Sequence, residues 1–164
     1  MNLQPILKGE LIDLQPLTPN DFERLYAVAS DPLVWEQHPE NTRYKRDVFE
    51  KFFKVAIESQ GAFLILDKNT NVVVGSSRYY DFSPEKSEIA IGYTFIARKY
   101  WGGVINHELK KLMLSHAFEF MNSVIFHIGE FNLRSRHAIE KIGAKLIDTT
   151  DKKTTYLLKK EEFK

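Results

Sequence analysis

From Gly9 to Leu17 the apolar residues Leu11, Ile12, Leu14 and Leu17 are interleaved with polar ones, and Pro16 and Pro19 close the run, which predicts a short edge-type strand. Phe22, Leu25, Tyr26 and Ala29 then recur at helical spacing behind Thr18 or Asn20 as cap, so a helix follows and stops at Asp31-Pro32. Leu33 to Tyr44 has no period and predicts a loop or a short helical turn. From Asp47 to Glu58, two interleaved sets, Val48, Phe52, Val55 and Phe49, Phe53, Ala56, give a second amphipathic helix. Ala62–Leu66 and Val72–Tyr80 form a hairpin across a polar turn. Glu88–Ile96 is a further strand, and Gly92 inside it marks a bulge or a close backbone approach. The longest helical pattern runs from Val104 to Asn122 on Ile105, Leu109, Leu112, Met113, His116, Ala117 and Phe120. Val124–Ile128 reads as a buried strand, and Asn132 caps a helix whose inner face is Ala138, Ile139 and Ile142 and whose stop is Gly143. Ala144–Thr149 and Thr154–Lys159 make a last hairpin. The order predicts an α/β (α+β) fold with a mixed, mostly antiparallel sheet of about seven strands flanked by about four helices. A crossover through the long helix makes two of the strands parallel.

At 164 residues, with no repeat or linker, residues 1–164 are expected to form a single domain. The hydrophobic share of 43% and charged share of 27% are those of a globular protein. No run is long and apolar enough for a membrane span, and Met1–Pro5 lacks the features of a signal peptide, so the expected address is the cytoplasm. The absence of cysteine removes disulfides, thiolate metal sites and a cysteine nucleophile. A net charge of +1 argues against a nucleic-acid binder, although basic residues outnumber acidic ones in the second half, which is where an anionic ligand, if one binds, is expected. The five histidines form no HExxH or similar spacing, and no metal is expected.

Chemistry concentrates at two places. Glu88–Ile96 runs through Arg98, Lys99, Tyr100, Trp101, Gly102 and Gly103 into a helix, a strand, basic loop and helix N-terminus that suit a phosphate. The loop is neither a GxxxxGK[ST] P-loop nor a GxGxxG dinucleotide turn, and a Gly-Gly before a helix also serves as an ordinary turn. In Asn132–Gly143, Ser135 shares a helical face with Ile139 and Ile142, so its hydroxyl should point inward, while Asn132 also reads as a plain helix cap.

Taken together these segments resemble the GNAT (GCN5-related) N-acetyltransferases, and within them the ribosomal-protein N-terminal acetyltransferase branch. The resemblance rests on Leu11–Thr18 with Asp21-Phe22, on Arg98–Gly102, and above all on Asn132–Ser135 through Glu140–Ala144. It implies acetyl-CoA as co-substrate, with pantetheine along Tyr93, Thr94, Phe95 and Ile96 where two strands part. Arg98 and the amides of Trp101, Gly102, Gly103, Val104, Ile105 and Asn106 would receive the pyrophosphate, and Asn132 and Ser135 would face the thioester. Val104 and Asn106 depart from the glycine and small residue usual there. The implied reaction is direct attack of a primary amine, on a protein N-terminus or a small molecule, on the thioester. Ser135 is the candidate proton donor, Glu88 the candidate base, Tyr93 an alternative donor or orienter, and His127 a core residue or proton relay. Trp35, Glu36, His38, Tyr79 and Tyr80 are expected to line the acceptor pocket, an acidic and aromatic surrounding for an amine. A non-catalytic acyl-CoA-binding or regulatory domain is the alternative, and exposed hairpin edges are compatible with a homodimer.

Overall fold

The computed structural model describes all 164 residues. Its strands are β1 (Leu7–Lys8), β2 (Ile12–Pro16), β3 (Ala62–Asp67), β4 (Val73–Ser83), β5 (Glu88–Ile96), β6 (Ser123–Gly129), β7 (Lys145–Thr150) and β8 (Lys153–Lys159). The helices are α1 (Phe22–Ala29), α2 (Arg46–Ser59), α3 (Val104–Ala117) and α4 (Leu133–Lys141). One eight-stranded sheet takes the order β1-β2-β3-β4-β5-β6-β8-β7. Every pair is antiparallel except β5 and β6, which α3 joins by a crossover.

Each face of the sheet carries its own core. On one face α3 and α4 set Leu109, Met113, Leu114 and Ile139 on Ile12, Phe63, Tyr79, Ile89, Ile91, Val124 and Tyr156. On the other α1 and α2 set Leu25, Ala29, Phe49, Phe53 and Ala56 on Leu64, Leu66 and Phe95. Local signals start these elements as expected. The carboxylate of Asp21 accepts from the Thr18 amide at 2.8 Å ahead of α1, and Gln60 ends α2 in the left-handed region at φ 53°.

Two features differ from the sequence reading. The strand at Ile12 is not an edge, because the two-residue β1 pairs outside it; a segment that short has no readable alternation. The Glu108 carboxylate on α3 fixes the turn between them by accepting the amides of Glu10, Leu11 and Ile12. The long helix ends at Ala117 rather than Asn122: Phe118 and Met121 stay in the core, so the apolar pattern persists after the chain has begun to turn towards β6.

Candidate functional site

The two parallel strands stay together for only three residues. β5 and β6 pair at Glu88–Ser123, Ile89–Val124 and Ala90–Ile125, and beyond that point they part. The parting coincides with a bulge in β5, where Arg78 pairs with Gly92 and Ser76 with Phe95, so that Tyr93 and Thr94 together oppose Ser77. Tyr93 sits there at φ 54°, a conformation that costs an aromatic residue roughly 1–2 kcal/mol, and the residue stays 42% exposed. A cleft of about 1500 Å³ fills the gap and extends to the N-terminus of α3.

The loop between β5 and α3 carries Gly102 at φ 117° and Gly103 at φ 97°. No side chain caps α3, and a Cβ on either glycine would meet nothing within 4 Å, so the first-turn amides open onto unfilled space. Backbone groups of β5 left without a β6 partner suit an extended, amide-bearing chain. The helix N-terminus suits phosphate. These residues therefore fit coenzyme A. Across the cleft, Asn132 is 4% exposed and its side chain accepts from the Ser135 amide at 3.4 Å at the start of α4. Arg134 lies 3.7 Å over the Trp101 ring and so ties α4 to the loop.

A segment between α1 and α2 roofs the opening. Gln37 accepts from the Arg134 amide at 3.2 Å, and Pro39 lies where a Cβ on Gly129 would stand 2.6 Å from its ring, so only glycine permits the approach. His38 is held beneath this roof, where burial, with Arg43 and Arg134 nearby, pushes its imidazole down to about 4. On the α1/α2 face Tyr80 packs 4.9 Å from Tyr93 and 6.2 Å from His127. Burial raises the Tyr80 phenol. Burial first, and Lys153 second, lower the His127 imidazole, so it is neutral at neutral pH and can accept a proton.

Of the expected site residues, Tyr93, Thr94, Phe95, Ile96, Trp101, Gly102, Gly103, Val104, Asn106, Asn132, Ser135, His38 and Tyr80 line the cleft. Six do not. Arg98 is turned away and paired with Asp31, whose carboxyl it holds below the ordinary range. Ile105 packs on the α3 core. Glu88 lies at the start of β5, where the strands are still joined, and does not line the cleft. Trp35 is 1% exposed and donates to the Ala29 carbonyl at 2.9 Å, so it is a core residue. Glu36 is exposed outside the cleft. Tyr79 points to the opposite face from Tyr80 by strand alternation and donates to the Met113 carbonyl, inside the α3 core.

Sequence reasoning missed Arg43 and Lys110, both of which line the cleft. Lys110 is 6% exposed, and its Nζ donates to Thr94 Oγ1 at 3.1 Å, which in turn lies 2.8 Å from Ser77 Oγ. Burial pushes this ammonium down to about 8. Its place three and four residues before the buried Met113 and Leu114 was the available signal. Arg43 sat in an aperiodic segment that offered none.

A strand pair that parts beside an uncapped helix defines a domain that holds an extended, anion-bearing ligand. The chain belongs to the GNAT acetyltransferases, acetyl-CoA-dependent enzymes: residues 12–145 match the family described as Acetyltransferase (GNAT) domain. No curated protein matches the chain. Among solved structures, it is similar to a GCN5-related N-acetyltransferase from Brucella melitensis, at 19% identity over 97% of this chain and 80% of that one, TM-score 0.82. A GNAT-family acetyltransferase from Bacillus anthracis shares 18% identity over 96% and 99% of the two chains, TM-score 0.78. A spermidine N-acetyltransferase from Vibrio cholerae, in complex with CoA and spermine, shares 13% over 94% and 98%, TM-score 0.72. These likenesses support the family and not the narrower ribosomal-protein N-terminal acetyltransferase branch.

Proposed function

We propose that the protein transfers the acetyl group of acetyl-CoA directly to a primary amine, and that the parting of β5 from β6 after Ala90 and Ile125 is the feature that carries the reading. The gap gives an acyl-bearing arm backbone partners on β5 and leads to the open amides of α3. The amine nitrogen forms a bond to the acetyl carbon, the carbon–sulfur bond breaks, and the products are an amide and free CoA thiol. His127, neutral and on the acceptor face, takes the proton that the amine must lose, the part first expected of Glu88. Ser135 lines the opposite wall and supplies a proton to the departing thiolate. Tyr93, carried into the cleft by the bulge, orients the acceptor.

Calorimetric titration with acetyl-CoA, CoA, ATP and NAD in parallel is the test of the site, followed by CoA release over a panel of amines. Selective binding of the CoA compounds with release on addition of amine is the expected result. Binding without release from any amine would favour the acyl-CoA-binding alternative, for which the departures at Val104 and Asn106 speak. In the same assay Ser135→Ala is expected to lower kcat about 10-fold or more while acetyl-CoA affinity holds. An unchanged kcat would remove the hydroxyl from the reaction.

A further inference from the structure

The chain has seven arginines, and they divide by place. Away from the cleft, Arg24 pairs with Asp21, Arg46 with Glu23 and Arg98 with Asp31, and Arg136 donates to the Tyr156 hydroxyl and the Glu130 carbonyl. At the cleft, the guanidinium groups of Arg43, Arg78 and Arg134 have no carboxylate within ion-pair distance and make no hydrogen bond; they lie only on aromatic rings. Arg134 belongs to the wall facing the Trp101 loop. Arg43 and Arg78 belong to the acceptor face, and both flank one ring, Phe52, at 4.7 Å and 5.4 Å. Arg43 lies on the lining of the cleft, and Arg78 lies just beneath it, 3.9 Å from the Tyr93 ring. Arg78 is 4% exposed, and its Nε is buried with no partner.

Two desolvated like charges around one ring, with no ion-pair partner, oppose folding. Burial lowers both guanidinium groups below their ordinary range, and for Arg78 the nearby Arg43 adds to the effect. Aromatic faces offset a part of that cost and leave the planar N–H donors free. Such donors are matched by the paired oxygens of a carboxylate or a phosphate. Of the carboxylates in the same cleft, Glu40 and Asp81, neither forms an ion pair with the two arginines, and Glu40 acts on Arg43 only through its longer-range field. The two guanidinium groups repel a further cation, so a polyamine gains nothing at this end of the pocket.

We propose that the acceptor amine carries an anionic group, a carboxylate or phosphate, received by Arg43 and backed by Arg78. The proposal rests on the transferase reading above. It gives the acceptor two ends, an amine directed to His127 and an anion directed to the arginine pair.

CoA release from acetyl-CoA is measured with amines matched except for the anion: an amino acid beside its amide, aminoethyl phosphate beside ethanolamine, and spermidine. The expected result is a kcat/KM on the order of 10- to 100-fold higher for the anionic member of at least one pair, the carboxylate and phosphate arms telling the two anions apart. Arg43→Gln is expected to collapse that ratio through the KM of the anionic amine, with acetyl-CoA binding by calorimetry unchanged. Equal or better use of the amide, ethanolamine or spermidine would overturn the anionic acceptor and leave the transferase reading standing. No release from any amine, with acetyl-CoA bound, would overturn both. Arg78→Met tests the buried partner, and should it fail to fold, the matched pairs on the unaltered protein still decide.

Discussion

Lys110 shows how far one side chain can depart from its neighbours. It occupies a core position on α3, desolvated, with two hydroxyl groups and no carboxylate for company. Its ammonium is pushed from the ordinary 10.5 down to about 8, so at neutral pH the folded state carries a charge that burial penalises. Below pH 8 both states are protonated and the penalty is complete. Between about 8 and 10.5 the unfolded chain binds more protons, so stability from this group rises with pH, and above 10.5 the penalty is gone. Lys110→Met is therefore expected to stabilise the protein at pH 7 by roughly 2–3 kcal/mol, about 4–10 °C in Tm. The advantage should shrink as thermal melts are repeated from pH 8 to pH 10.5. An advantage independent of pH would show that Met gains by packing alone.

Among the elements, the turn into α3 decides whether an anion can approach. Gly103 leads the helix at φ 97° with empty space where a Cβ would stand, so its requirement for glycine is conformational and not steric. Gly103→Ala is expected to cost about 1 kcal/mol in chemical denaturation from the left-handed backbone alone. Should the helix reorient to relieve that strain, the open amides leave the cleft, and acetyl-CoA affinity by calorimetry is expected to fall about 10-fold. Unaltered affinity would mean that the phosphates rest elsewhere. The roof between α1 and α2 works differently, because its hold on β6 and α4 depends on Gly129 beneath Pro39 and on Gln37 at the Arg134 amide.

At the scale of the whole molecule the sheet is continuous from β1 to β7 but locally open, since β5 and β6 share three pairs while β4 and β5, or β6 and β8, pair along much of their length. A ligand seated in the gap binds only the folded state. Acetyl-CoA at about 100 times its Kd is therefore expected to add about 2.7 kcal/mol, raising Tm by roughly 5–11 °C in a thermal melt. NAD at the same concentration should leave Tm unmoved. A shift with NAD as large as that with acetyl-CoA would contradict a CoA-selective cleft.

The order of strands and helices, the parallel pair, the loop before α3 and the inward Ser135 were legible because each depends on local periodicity or on a glycine at a turn. Alternation in β4 could have separated Tyr79 from Tyr80, since neighbouring strand residues point to opposite faces, but not which face holds the acceptor. The eighth strand was too short to carry a period. That Glu88 lies outside the cleft, that Trp35 is core, and that Arg43, Arg78 and Lys110 lack ion-pair partners were decided by tertiary structure alone. Sequence determines which side chains exist and which face of their own element they share. Whether a charge finds a partner depends on what other elements bring within a few ångströms of it, and that is fixed only when the sheet faces are covered.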